Sequence, residues 1–287
     1  MLSMLARVAR SSVGATGTRC FASAAAQVSA AKLPRRSIIA LEGRDTLKFL
    51  QGTITNNIKA LEEARAAADP PQSVFYAAFL TPQGRMIADA LMYLVRHTEE
   101  PAVLVEVDTN IVSELLKFIK RFKLRSKLRL TDVSSEWEVH HVWGPSAHQA
   151  INTDEINRLR GFAARDIRAP LMGWRVLVPA GMTRTSPVAH TASFTDSVAE
   201  ASFEAYTAHR MLCGVPEGAD ELANGSSLPL ESCVDYMHGG TFHLHTVDFH
   251  KGCYIGQELT ARTHFTGLIR KRIMPVLLTR EGEAYVK

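Results

Sequence analysis

The stretch KGCYIGQELTART, Lys251–Thr263, places two glycines, a cysteine, an amide, a carboxylate and an arginine in one short run. Gly252 and Gly256 permit positive φ and close backbone approach, which neither a plain helix nor a plain strand requires. A helix starting after Gly256 places Glu258 and Arg262 at i, i+4, where they can pair for a few tenths of a kcal/mol. Cys253 has two readings. Lys251 or the N-terminus of that helix lowers a thiol pKa and yields a thiolate that attacks or binds metal. Alternatively it is a buried structural cysteine, since free cysteine is among the most buried residue types.

Upstream lies HGGTFHLHTVDFHKGC, residues 238–253. His243 and His245 share a face of any strand there, and His250 with Cys253 completes a mixed nitrogen and sulfur set. Its spacing matches no structural zinc pattern, so the reading is a solvent-facing loop and no metal site. The chain contains no GxSxG, GxGxxG or Walker A sequence, which removes the signatures of a hydrolase elbow, a dinucleotide fold and a P-loop.

Further out, SIIAL at Ser37–Leu41 reads as a strand, Glu42 and Gly43 as a turn, and Thr46 onward as a short helix with Asp45 as N-cap and Gly52 as stop. SVFYAAFLTPQGRMIADALMYLV predicts a β-hairpin turning on TPQG, residues 81–84. Val103–Val107 adds a strand, and the apolar spacing over Ile111–Phe122 predicts an amphipathic helix. SKLRLTDVS and WEVHHVWG read as strands, Ala163–Pro179 as a strand pair turning at Pro170–Gly173, and Thr195–Leu212 as a helix ended by GVPEG. Strands and helices mix without a βαβ rhythm, so the class is α+β with mainly antiparallel sheets and packed helices.

The N-terminus differs from this body. MLSMLARVARSSVGATGTRCFASAAAQ carries Arg7, Arg10 and Arg19, and no acidic residue precedes Glu42. This is the basic, amphipathic pattern of a mitochondrial transit peptide, with cleavage expected after Phe21. Six of the 33 cationic residues lie in the first 36, leaving 27 against 29 acids in the body. The overall charge of +4 therefore reflects the leader and gives no nucleic-acid footprint. Four scattered cysteines without CxxC exclude a disulfide framework and fit a reducing compartment.

KGCYIGQELTART, together with GRDTLKFLQGTITNNI, YAAFLTPQGRMIAD, FKLRSKLRLTDVS, AYTAHRMLCGVPEG and LPLESCVDYM in this order, resembles the YgfZ/Iba57 family, relatives of the glycine-cleavage T-protein aminomethyltransferases. The resemblance covers most of Ser37–Arg272. It implies a T-protein-like ring of subdomains around a tetrahydrofolate site and a small C-terminal β-barrel, which this chain begins and does not complete. The division that follows is residues 1–36 as transit peptide and leader, 37–145 as a folate-binding-like subdomain, 146–272 as a second subdomain with the KGCYIGQE loop, and 273–287 as the start of an incomplete C-terminal β domain.

It also implies a matrix factor that works with ISCA-type carriers to assemble or transfer [4Fe-4S] clusters. Cys253 is then the functional thiol and a transient cluster ligand. Lys251, Gly252, Tyr254, Gly256, Gln257, Glu258 and Arg262, with Asp89, are the cofactor-binding set. Two departures stand out. The T-proteins carry adjacent aspartates after the hairpin turn where this chain has Ala88-Asp89, which argues against ordinary aminomethyl transfer and leaves enzyme activity open. The histidine-rich segment reads as an insertion. The alternatives are a tetrahydrofolate-dependent aminomethyl or one-carbon transferase, and a non-catalytic scaffold with a buried Cys253.

Overall fold

The computed structural model describes residues 28–58, 74–95, 98–151, 153–181, 198–237 and 246–276. Within them two five-stranded sheets lie face to face. The first contains β2 (Arg36–Glu42), β3 (Val74–Leu80), β4 (Met86–Val95), β5 (Ala102–Asp108) and β6 (Arg129–Asp132), in the order β3-β4-β5-β2-β6. The second contains β1 (Val28–Lys32), β7 (Trp137–Trp143), β8 (Phe162–Arg165), β9 (Trp174–Pro179) and β10 (Val198–Glu200), in the order β10-β1-β7-β9-β8. Every pairing is antiparallel except β1 with β10.

Strand alternation sets the layers, because successive side chains point to opposite faces. Ile39 and Leu41 of β2 enter a core shared with Phe75, Met92 and Val105. That core is roofed by α1 (Thr46–Gln51) and α2 (Val112–Phe122) through Leu50, Leu115 and Ile119. Ile38 and Ala40 face the other way and meet Val139 and Leu177 of the second sheet. The far face of that sheet, through Val142, Val176 and Val178, packs on Ile156 of α3 (Thr153–Arg158). The expected antiparallel α+β class therefore holds.

Several local expectations need correction. Val28–Lys32, within the stretch read as leader, is a sheet strand, and Ser29–Lys32 pair with His140–Trp143 of β7. The first sheet is formed by the consecutive strands β2–β6, and the second takes β1 from before them and β7–β10 from after them. The helix expected from Thr195 begins at Phe203 as α4 (Phe203–Leu212), where the Ser202 side chain accepts from Ala205 N; Val198–Glu200 are strand instead. Asp45 stands at the start of α1 but its carboxylate does not cap the helix. It accepts from the Lys127 N–H at 2.6 Å. No barrel closes among the described residues, and 273–276 carry no strand. The transit-peptide reading of residues 1–27, and His243 and His245, lie outside the described residues.

Candidate functional site

The KGCYIGQ segment is a loop that ends in α5 (Gln257–Thr266), so the helix starts where the glycine signalled. Two distant parts of the chain converge on it. From the residues after α1, the Ile54 and Asn56 carbonyls accept from Lys251 Nζ at 2.8 and 2.6 Å, and Gly52 O accepts from Ile255 N at 3.0 Å. Asp248 ties the loop entrance, its Oδ1 accepting from the backbones of His250 and Lys251 and its Oδ2 from the Asn57 side chain. The second part is the hairpin turn. Gly256 has φ +82°, and a Cβ there would stand 2.4 Å from Thr81 O and 2.7 Å from Leu80 Cβ. Gly84 answers it from the turn at φ +81°, where a Cβ would meet Leu259 Cβ at 2.8 Å. Glycine is required at both positions by conformation and by space.

The loop thus has a fixed floor and an open rim. Tyr254 is buried in the core between the sheets, and its N–H donates to Gln257 Oε1 at 2.9 Å. Burial raises the Tyr254 phenol above its ordinary range. Lys251 Nζ lies 4.9 Å over the Tyr254 ring, and burial, opposed by Asp248, pushes its ammonium down to about 7. Lys251 Nζ is thus directed at the two carbonyls of the loop floor. Cys253 is exposed and unpaired, and Gly252 beside it has nothing within 4 Å of a would-be Cβ. This removes the buried-cysteine alternative. Glu258 and Arg262 stand exposed on α5, and no ion pair joins them among the described residues.

Asp89 is not part of this loop. It lies on β4 facing the second sheet, 2% exposed, with Oδ1 accepting from Gly218 N at 3.0 Å and Oδ2 lying 3.7 Å from Arg36 Nη1. Around it runs a buried ionic network that joins the sheets. Glu106 accepts from Arg36 Nε at 2.7 Å, Arg175 Nη2 at 2.8 Å and Tyr93 Oη at 2.6 Å. Glu217 accepts from Arg168 at 2.7 Å, Tyr206 at 2.8 Å and Arg175 at 2.9 Å, and Asp166 takes two further bonds from Arg168.

Burial works to raise the Glu106 and Glu217 carboxyls, but Arg175 and Arg36 outweigh it and hold both below their usual range. For Asp89 burial prevails over Arg36 and the pKa rises. His141 Nε2 donates to Met172 O at 2.8 Å, and its Nδ1 faces Arg175 Nη1 at 3.4 Å. Burial, helped by Arg175, pushes this imidazole down to about 3. Sequence reading missed Arg36, Glu106, Arg168, Arg175 and Glu217. The available signal was a charged residue on the core face of an apolar strand, Glu106 in AVLVEVD and Arg175 in WRVLVP.

Comparison with known proteins agrees with this architecture. The GCVT N-terminal domain profile matches residues 27–186. The mitochondrial iron-sulfur cluster assembly factor IBA57 homolog of Mycosarcoma maydis is 42% identical over 248 residues, covering 86% of this chain and 56% of the relative. The human iron-sulfur cluster assembly factor IBA57 is 37% identical over 254 residues, covering 85% of this chain and 65% of the relative. The chain thus spans less than two thirds of the length of either. The glycine cleavage system aminomethyltransferase T of Bartonella henselae superposes with a TM-score of 0.56 at 14% identity, over 74% of this chain and 57% of that one, which shows a shared fold. On the profile match and these relatives, the chain belongs to the GCVT domain family, with mitochondrial IBA57 proteins among its similar members.

Proposed function

We propose that this protein is a mitochondrial matrix factor that assembles or transfers [4Fe-4S] clusters, with Cys253 as the residue that meets the cargo. The observation that carries the reading is the exposed Cys253 thiol on a loop locked to two other segments by Lys251, Ile255 and Gly256. It is supported by the printed names of the relatives and by the basic, acid-free leader. A thiolate is a soft iron ligand, and once deprotonated Cys253 Sγ can replace one carrier thiolate on a cluster iron during handover. The fixed floor under the loop holds that sulfur in place, so little ordering is needed when a carrier docks. In this reading the partner is an ISCA-type carrier, and the cluster is cargo rather than a resident cofactor.

Tetrahydrofolate is proposed as a ligand of the scaffold without a role for Asp89. That carboxyl is sealed between the sheets and held by Gly218 N and Arg36, so it does not fit a group reacting with a bound folate. The same enclosure disfavours one-carbon transfer with Asp89 as base. The purified protein, a cluster-loaded carrier and apo-aconitase provide the test. Wild type should accelerate aconitase reactivation and Cys253→Ser should not; equal acceleration by both removes the thiol from the reaction. Titration with tetrahydrofolate separately tests the ligand, and Asp89→Asn should leave its affinity unchanged.

A further inference from the structure

The body of the protein is close to charge balance, but the end of α2 and the loop after it are not. Lys117, Lys120, Arg121, Arg125 and Lys127 all stand exposed there. Arg44 adjoins them across an open cleft of about 660 Å³ that Lys127, Glu42 and Glu100 also line, with Arg129 there ion-paired to Glu42. In the middle of these cations Leu124 is 84% exposed and has φ +43°.

Helix energetics explain only part of this arrangement. Lys120 and Arg121 sit in the last turn of α2, where cations complement the helix dipole. Arg125 and Lys127 lie beyond that turn. Leu124 occupies the position just after the C-cap, which ordinarily carries glycine because its φ is positive. A leucine there is strained and gains no burial.

Nor is the loop a loose excursion. Lys123 Nζ donates to Leu128 O at 3.1 Å and Ser126 N to Lys123 O at 2.7 Å. Lys127 exchanges backbone bonds with Asp45, N to Oδ2 at 2.6 Å and O from Asp45 N at 3.3 Å. Pinned on both sides, the turn holds an exposed apolar tip between cations at Lys120, Arg121, Arg125 and Lys127 in the sequence.

We propose that this tip is a peripheral docking surface for an anionic lipid bilayer. Headgroup phosphates would meet the cations, and Leu124 would enter the acyl boundary just beneath them. An anionic bilayer offers negative charge and an apolar phase at the two depths this loop requires. A purely acidic protein surface matches the cations and leaves Leu124 in water. No helix among the described residues is long and apolar enough to cross a membrane, so the contact is superficial.

The test uses the full chain with Arg7, Arg10 and Arg19 changed to Gln, so that the basic leader does not dominate. Sedimentation is measured with phosphatidylcholine vesicles, with and without phosphatidylglycerol. Binding is expected only with phosphatidylglycerol and should weaken as salt rises. Each cation near an anionic surface contributes about fivefold. Lys120→Gln, Arg121→Gln and Arg125→Gln together should therefore lower partitioning about a hundredfold, with an unchanged circular dichroism spectrum. Leu124→Ser should lower it about tenfold at any salt concentration. Absence of binding, equal binding by the triple variant, or retention on polyglutamate without vesicle binding overturns the proposal; the last result assigns the patch to an acidic protein.

Discussion

Replacing Gly256 by alanine tests whether the hairpin turn fixes the Cys253 loop. Two costs arise. A left-handed backbone, here at φ +82°, costs an L-residue about 1–2 kcal/mol. The new methyl would stand 2.4 Å from Thr81 O and 2.7 Å from Leu80 Cβ, one a backbone atom and the other the root of a core side chain. Neither yields without moving β3 or the turn, and such overpacking costs about 1–3 kcal/mol. Together they predict a destabilisation of about 3 kcal/mol, concentrated where α5 meets the turn.

Gly252 is the internal control, since its φ is not positive and a Cβ there meets nothing within 4 Å. Gly252→Ala should stay within about 0.5 kcal/mol of wild type, as a surface substitution does. Native-state amide exchange over Leu259–Thr263 reads both variants. At 1.4 kcal/mol per decade, Gly256→Ala should lose protection by about a hundredfold while Gly252→Ala changes little. Equal protection in the two variants would refute the turn as the anchor of the loop.

Other outcomes follow from the buried groups. Arg175→Leu leaves Glu106 and Glu217 short of a shared guanidinium, and urea unfolding should show a loss of about 3–5 kcal/mol; a loss under 1 would mean the carboxylates are neutral or hydrated. His141 stays neutral in the fold down to about 3, whereas the unfolded chain protonates near 6.5. The unfolded state therefore takes up the proton first as pH falls, and stability should drop by about 2 kcal/mol between pH 7 and 5. His141→Gln, which keeps a donor for Met172 O, should flatten that slope, though His140 and His209, also lowered by burial, leave a remainder. Lys251→Met removes both bonds to the Ile54 and Asn56 carbonyls and should destabilise by about 1–3 kcal/mol while Cys253 stays reactive to iodoacetamide.

The parts of this fold readable in the sequence were those with local causes. The hairpin was carried by Pro82 and Gly84, α2 by its apolar stripe, and the start of α5 by Gly256. What stayed hidden depends on distant partners. Val28–Lys32 has little strand signal of its own, and it is strand because β7 and β10 take its two edges. Asp45 has the right chemistry for a cap, but the Lys127 N–H competes for its carboxylate across the chain. Gly252 and Gly256 look alike in sequence, and the fold separates them by the positive φ of Gly256 and the approach of Thr81 and Leu80. Lys251 beside Cys253 suggested an activated thiol, yet its ammonium turns inward to carbonyls almost two hundred positions earlier. The ionic network at Glu106 and Glu217 needs both sheets in place before its members become neighbours.

The account rests most heavily on Cys253 as a thiol used in cluster assembly. The direct measurement is aconitase activity in mitochondria depleted of this protein and supplied separately with wild type and with Cys253→Ser, at matched abundance and thermal stability. The account predicts that depletion lowers aconitase and that wild type alone restores it. Full restoration by Cys253→Ser, or unchanged aconitase on depletion, would contradict it.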